Sequence, residues 1–207
     1  MDREPTVFVV DDDPAMRQSL RWLLQSVGLS VETFGTAEEF LTAVDATRAG
    51  CLVLDVRMPG MSGLHLQEEL ARQRITLPTI IISGYAEVPV AVRALKAGAI
   101  DFIEKPFSDQ LLVDRVRHAI ELDRYTRRLR AERTEIAERM AQLTPREREV
   151  LTGVVDGKPN KLIGQELGIG EKTVEVHRAN LMRKLQVSSV AALIRVALQA
   201  RGDTGKP

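Results

Sequence analysis

Cysteine is all but missing: Cys51 stands alone among 207 residues, so no internal disulfide can form and a disulfide-stapled secreted scaffold is excluded. No apolar run approaches the roughly 18 residues a membrane span needs. The opening MDREPTV is too acidic and polar for a signal peptide, and the expectation is a cytoplasmic protein with no membrane partner. Net charge is lacking too, since 29 basic and 29 acidic side chains cancel. Taken whole, that zero argues against nucleic acid as a partner, but a sum over two domains hides opposite signs, and this length suits two domains better than one. Residues 1–120 carry 12 basic and 17 acidic side chains, 121–141 carry 6 and 5, and 142–207 carry 11 and 7. The front is about five units negative and the back about four positive, as when an acidic regulatory or catalytic domain precedes a basic one.

The front half alternates strand and helix signals. TVFVV at Thr6–Val10 is an unbroken apolar, β-branched run suited to a strand buried on both faces. Asp13 then precedes Pro14, an N-cap followed by proline at the first helical position, and Met16, Leu20, Leu23, Leu24 and Val27 continue at helical spacing to Gly28. The unit recurs: strand 30–34 and a capping box of Thr36 with Glu39, strand 51–55 and a helix after Gly63, strand 78–83 and a helix from about Glu87 to Ala97, strand 99–104 and a helix from Ser108. Five such units predict a doubly wound α/β domain with a five-stranded parallel sheet and its site at the carboxyl ends of the strands.

Such sheets often bind nucleotides through a glycine-rich first turn, and this chain has none there. Asp11, Asp12 and Asp13 occupy that turn instead, and carboxylates repel a phosphate unless a cation lies between them; a hard divalent ion with oxygen ligands resolves the conflict. By the same strand-end rule Asp55 closes the third strand, Ser83 the fourth, and Lys105 lies just past the fifth. Carboxylates, a hydroxyl and an ammonium on one edge are the groups that transfer of a phosphoryl group to a carboxylate needs, with Asp55 attacking and Lys105 and Ser83 stabilising the phosphoryl oxygens. Cys51 reads as a core thiol, Trp22 as core or helix-face packing, and His65 and His118 as packing or surface residues without metal-ligand spacing.

VVDDD at 9–13, LDVRMPGMSG at 54–63, ISG at 82–84 and EKPF at 104–107, in that order and spacing, strongly resemble the receiver domain of two-component response regulators, over residues 5–120. The resemblance implies that Asp55 is the phosphate acceptor and that Asp11 and Asp12 are the acid pair of a Mg2+ pocket, the ion being held by Asp12, Asp55 and the backbone carbonyl of Arg57. It implies that Ser83 and Phe102 are the switch residues, Ser83 moving toward the phosphoryl group and Phe102 rotating into the space vacated. It also implies a cis peptide at Lys105-Pro106. Phe102 lacks the hydroxyl of the tyrosine that many receivers carry there. Arg57 and Tyr85, each two residues beyond a site residue, are placed to screen Asp55 from water.

From Leu111 to Pro145 no glycine or proline interrupts the chain, and Leu122, Leu129, Ile136 and Leu143 recur every seven residues. With Thr126 and Arg133 at the other seam positions, either a solvated single helix or a short coiled coil is allowed. Beyond it, Thr144-Pro145-Arg146-Glu147 is a capping box opening a helix to Gly157, a second helix spans about 160–167 and ends at Gly168, and a third carries Val174, Leu181 and Leu185 inward. A last apolar helix spans 188–200. Two short helices around a glycine-containing turn match a helix-turn-helix. Lys172, Glu175, Arg178, Ala179, Arg183 and Lys184 form the outward face of its second helix.

LTPREREVL, NKLIGQELGI and KTVEVHRANLMRKL together resemble the four-helix DNA-binding domain of the LuxR/NarL class, over 143–200, and the whole chain resembles FixJ-type response regulators. The domains expected are a receiver at 1–120, a helical linker at 121–142 and a helix-turn-helix domain at 143–207. By this resemblance Glu175, Val176 and Ala179 face base edges, while Lys161, Lys172, Thr173, His177, Arg178, Asn180 and Arg183 mostly touch phosphates; His177 reads equally as a packed imidazole. Gly164, where alanine is usual, costs about 1 kcal/mol of helix propensity, and Gly170 replaces the usual serine cap. The implied function is a phosphorylation-activated transcription regulator and not an enzyme, beyond catalysing its own phosphoryl transfer and dephosphorylation. Its implied partners are a sensor histidine kinase, double-stranded DNA, a second copy of the chain on phosphorylation, and RNA polymerase. Competing readings are a constitutive DNA binder with a degenerate receiver, which the complete Asp, Ser and Lys set opposes, and a Mg2+-dependent phosphatase, for which turnover of an external ester is the discriminating assay.

Overall fold

The computed structural model describes residues 4–84 and 88–202, the last two by backbone alone. Tyr85 and Glu87 lie outside the described residues. The chain divides into two compact units, one ending at Arg127 and the other beginning at Arg128. Among the described residues no helix is long and apolar enough to cross a membrane.

In the first unit, strands β1 (Thr6–Val10), β2 (Ser30–Phe34), β3 (Gly50–Asp55), β4 (Thr79–Ser83) and β5 (Asp101–Glu104) form one parallel sheet in the order β2-β1-β3-β4-β5. Alternation along each strand builds two cores. Phe8, Val10, Leu52, Leu54 and Ile81 face one side, against Phe40 of α2 (Ala37–Ala43), Leu66 and Leu70 of α3 (Gly63–Arg72) and Ala94 of α4 (Val88–Lys96). Val7, Val9, Cys51, Val53, Ile80 and Ile82 face the other, against Leu20 and Leu24 of α1 (Pro14–Ser26) and Leu112, Val116 and Ala119 of α5 (Asp109–Ala141). Apolar side chains on both faces of the central strands explain their unbroken hydrophobic runs. The strand order reverses between β1 and β3, so the crevice of this sheet opens at their carboxyl ends, where Asp11 and Asp55 stand.

The caps follow the local sequence with one shift. Asp13 caps α1 by accepting from the Ala15 amide. Thr36 accepts from the Glu39 amide, but the Glu39 carboxylate reaches the amide of Gly35 instead of Thr36, so the predicted reciprocal box is displaced by one residue. Trp22 is 67% exposed on α1, contrary to the expectation of a packed indole; the stripe of Leu20 and Leu24 already fills the helix's buried face.

The second unit gathers α6 (Pro145–Val155), α7 (Asn160–Leu167), α8 (Glu171–Lys184) and α9 (Val190–Gly202) around Val150, Ile163, Val174, Leu181, Leu185 and Leu193, all essentially inaccessible, with Leu143 beneath them. Thr144 and Glu147 form the predicted capping box, each bonding the other's backbone amide. Gly168 ends α7 in the left-handed region, and the chain turns back so that the Ile169 amide donates to the Gly164 carbonyl at 2.9 Å.

Candidate functional site

Three loops at the carboxyl edge of the sheet bring the predicted groups of the first unit together. Asp11, 1% exposed, follows β1; its Oδ1 accepts from the Asp13 amide at 2.9 Å and its Oδ2 from Lys105 Nζ at 2.9 Å. Asp55, 7% exposed, closes β3; its Oδ1 accepts from the same Nζ at 2.7 Å and its Oδ2 from the Arg57 amide at 2.6 Å. Lys105 reaches both because its own amide donates to the Ser83 carbonyl at 2.8 Å, and the Lys105-Pro106 bond is cis, as the resemblance implied. Ser83 is buried at the end of β4, Phe102 is half-buried on β5 opposite Ile81, and Asp12 is exposed.

Glycine lets the Asp55 edge close up. A Cβ on Gly63 would lie 2.1 Å from the Asp55 carbonyl oxygen, so only glycine permits α3 to begin directly against that peptide. Ser62 caps the helix, and the Gly63 amide donates to the Val56 carbonyl at 3.0 Å. On the β1 side, Arg17 Nη1 donates to the Asp11 carbonyl at 2.7 Å and fixes the turn that carries the acids. Sequence reasoning did not single out Arg17, which lies on the helical face left over by the apolar stripe.

The electrostatics of this edge are unbalanced. Burial pushes the Asp55 carboxyl above the usual range; the Lys105 ammonium and the Arg57 amide pull it down, Asp11 pushes it up, and the net shift is upward. For Lys105, burial disfavours the ammonium, but the bonds to Asp55 and Asp11 outweigh it and raise the pKa. Asp11 and Asp55 thus share one ammonium, with the exposed Asp12 next to Asp11 in the same turn. An oxygen-only donor set with surplus negative charge fits a hard divalent cation. Among the described residues no three acidic, histidine or cysteine side chains form a closed metal cage. Mg2+ does not require one, because it keeps several waters and takes one or two carboxylates. A cavity of about 310 Å³ lined by Leu70, Ile75, Leu77, Pro78, Ile100 and Leu122 lies at the opposite ends of the strands, away from Asp55.

A second cluster escaped sequence reasoning. Asp123 is buried near the far end of the sheet and accepts from the Gly50 amide at 2.9 Å, while Arg127 Nε donates to both of its oxygens, at 3.0 and 2.8 Å. The same guanidinium also donates to the Thr47 and Arg48 carbonyls. The only hint in the sequence is an Asp and an Arg four apart, a spacing shared by many solvated helices.

In the second unit, α8 presents Lys172, Thr173, Glu175, Ala179 and Arg183 to solvent, with Val176 56% exposed; Lys161 is exposed on α7. Arg178 and Asn180 are half-buried. His177 is half-buried too, and its Nδ1 is enclosed without a hydrogen-bond partner, which leaves the rest of the ring for contact. Lys184 departs from the outward face assigned to it: its Nζ lies 2.7 Å from the buried carboxylate of Glu147 and 3.2 Å from the Gln142 carbonyl. Burial would raise the Glu147 pKa, but Lys184 and the Thr144 amide outweigh it and lower it. Gly164 is no mere propensity defect, since a Cβ there would lie 2.7 Å from the Ile169 carbonyl oxygen, inside the turn. Gly164→Ala is therefore expected to destabilise this unit by about 1 kcal/mol or more, although alanine favours helix by ~1 kcal/mol; thermal unfolding followed by circular dichroism checks the sign.

Residues 7–117 match the family model for the response regulator receiver domain, and residues 141–197 match that for bacterial regulatory proteins of the luxR family. The chain is 44% identical over 194 residues to the transcriptional regulatory protein FixJ of Bradyrhizobium diazoefficiens, covering 94% of this chain and 95% of that protein. It is 45% identical over 195 residues to the response regulator protein TodT of Pseudomonas putida, covering 94% of this chain and 86% of that protein. The solved structure of the response regulator StyR superposes with a TM-score of 0.89 at 45% identity, over 95% of this chain and 100% of that one.

Proposed function

The chain belongs to the response-regulator family, with a LuxR-family DNA-binding domain behind its receiver, and is a phosphorylation-dependent transcription regulator of a two-component system; on that premise we propose that Asp55 takes the phosphoryl group from a cognate histidine kinase. The observation that carries this assignment is the single ammonium of Lys105, bonded to Asp55 at 2.7 Å and Asp11 at 2.9 Å on the strand-end edge. An Asp55 oxygen attacks phosphorus, the bond from phosphorus to the donor nitrogen breaks, and the donor leaves with its electron pair. Lys105 then bonds a phosphoryl oxygen, and the Ser83 hydroxyl takes another. Asp11, Asp12, Asp55 and the Arg57 carbonyl would hold Mg2+, which neutralises phosphoryl charge when bound. The receiver catalyses this transfer and the later hydrolysis of its own aspartyl phosphate, and turns over no external ester.

Movement of Ser83 toward the phosphoryl group empties space beside β4, and Phe102, half-buried on the adjoining strand, rotates into it. The altered face pairs two copies of the chain, which presents two helix-turn-helix modules to a two-half-site promoter in the cytoplasm, where RNA polymerase is recruited. We assign residues 1–120 to the receiver, 121–142 to the helical linker and 143–207 to DNA binding, with the linker's first turns, through Arg127, packed as part of the receiver unit. Selection from random duplex DNA with and without a small phosphodonor and Mg2+, with molecular mass followed in parallel, tests this reading. A two-half-site sequence and a doubled mass are expected only with the phosphodonor. Equal mass and equal DNA affinity in both arms overturn it.

On α8, Glu175, Val176 and Ala179 read bases, while Lys172, Thr173, His177, Arg178, Asn180 and Arg183, together with Lys161 of α7, engage the phosphate backbone. Glu175→Ala is expected to change sequence preference across a panel of operator variants. Lys172→Ala is expected to weaken binding to all of them alike and to reduce the salt slope by about 1. Identical behaviour of the two variants would remove the division into base and phosphate contacts.

A further inference from the structure

The arginines of the second unit differ in what holds them. Away from the recognition helix three rest on carboxylates, Arg128 on Glu132 at 2.9 Å, Arg146 on Glu149 at 2.7 Å and Arg139 on Glu135, while Arg148 reaches the Ala141 carbonyl. On α8 they rest on neutral amides. Arg178 Nη1 donates to Asn160 Oδ1 at 2.7 Å, and Arg183 Nη2 donates to Asn180 Oδ1 at 3.0 Å. Glu175 lies one turn before Arg178, yet among the described residues no ion pair joins either α8 arginine to a carboxylate. Asn160 is also freed from the commonest task of an asparagine at a helix start, for Pro159 occupies the cap position of α7 and no side-chain cap bond is made there.

We propose that Asn160 and Asn180 are positioning residues that hold Arg178 and Arg183 ready for DNA phosphodiesters while leaving the positive charge of each guanidinium intact. The inference rests on the reading of α8 as the DNA-facing helix. An arginine has five N–H donors, and one bond to an amide oxygen leaves four for a phosphate. A carboxylate in the same place would hold the side chain equally well but cancel its charge, so that binding would release about one counterion fewer. A bare guanidinium would keep its charge and lose its orientation, adding the entropy of ordering a long side chain to each binding event. A neutral acceptor avoids both penalties.

The two asparagines are tested by Asp and Ala variants of each, in the full chain with phosphodonor and Mg2+. Affinity is measured for a random-sequence duplex as a function of salt, because phosphate contacts are independent of sequence. Asn160→Asp is expected to weaken binding about tenfold and to lower the slope of log affinity against log salt by about 0.9. Asn160→Ala is expected to weaken binding about fivefold with the slope unchanged. The bond at Asn180 is exposed, but Asn180 is half-buried and assigned a phosphate contact of its own, so its two variants are read beside melting temperature and the Asn160 pair decides the comparison. Arg178→Ala should match the slope of Asn160→Asp. An Asp variant with the wild-type slope, or an Ala and an Asp variant with the same slope and the same loss of melting temperature, overturns the proposal and assigns the asparagines to the fold. A wild-type chain that takes up phosphate at Asp55 but binds no duplex overturns the reading of α8 itself.

Discussion

Replacing Asp55 with asparagine is expected to abolish covalent phosphorylation by a small phosphodonor and hold DNA affinity at its unstimulated level. The amide keeps the shape of the side chain and an oxygen for Lys105, but it is not a nucleophile toward phosphorus. Intact-protein mass spectrometry reads the first effect and a DNA titration with and without phosphodonor reads the second; a mass increase retained in the variant would remove Asp55 from the acceptor role. The variant should also melt no lower than wild type. The Asp55 pKa is raised in the fold, first by burial, so at neutral pH the ionised carboxylate is the form that the fold disfavours. That penalty is in full force above the folded pKa, shrinks as pH falls below it, and is gone below the unfolded pKa. A neutral asparagine removes the penalty, which separates loss of chemistry from loss of structure.

Asp123→Ala should produce the largest loss of stability. Asp123 is 4% exposed and binds both the Gly50 amide and the Arg127 guanidinium. Deleting it leaves a buried amide without an acceptor and a partly buried cation without its counter-charge, at a cost of about 3 kcal/mol. For a unit of this size that lowers the melting temperature by roughly 10 °C. Urea and thermal unfolding of the full chain, followed through the receiver transition, measure it. Combining Asp123→Leu with Arg127→Leu should restore part of the loss, because two apolar side chains replace a pair whose desolvation was costly. Strictly additive losses in that double variant would show that the two residues act independently.

Particular residues show how far local signals reached. The turn at Asp11–Asp13, the strand ends at Asp55 and Ser83, and Lys105-Pro106 were legible because a parallel sheet converts a strand's last residue into a position on one edge, whatever lies between the strands in sequence. The inward set Val174, Leu181 and Leu185 was legible because helical period alone defines it. Lys184 was misplaced for the converse reason: period assigns a face, but not whether a buried carboxylate 37 residues away, here Glu147, waits on that face. Trp22 was misplaced because size and hydrophobicity favour burial without compelling it. Gly164 looked like a defect by propensity, which counts backbone entropy and not the nearness of the Ile169 carbonyl.

By itself the sequence determined the order of strands and helices, the division into an acidic front and a basic back, and the groups we propose for handling phosphate and DNA. These follow from local pattern, strand-end placement and the resemblance of short motifs. Only the tertiary structure decided which of those groups share a partner: one ammonium between Asp11 and Asp55, Asp123 with Arg127 at the head of Asp55's own strand, and Asn160 with Arg178. Such pairings join residues 18 to 94 positions apart as well as near neighbours, and composition and period carry no record of them, because the distance that sets an electrostatic or hydrogen-bond energy is measured through space.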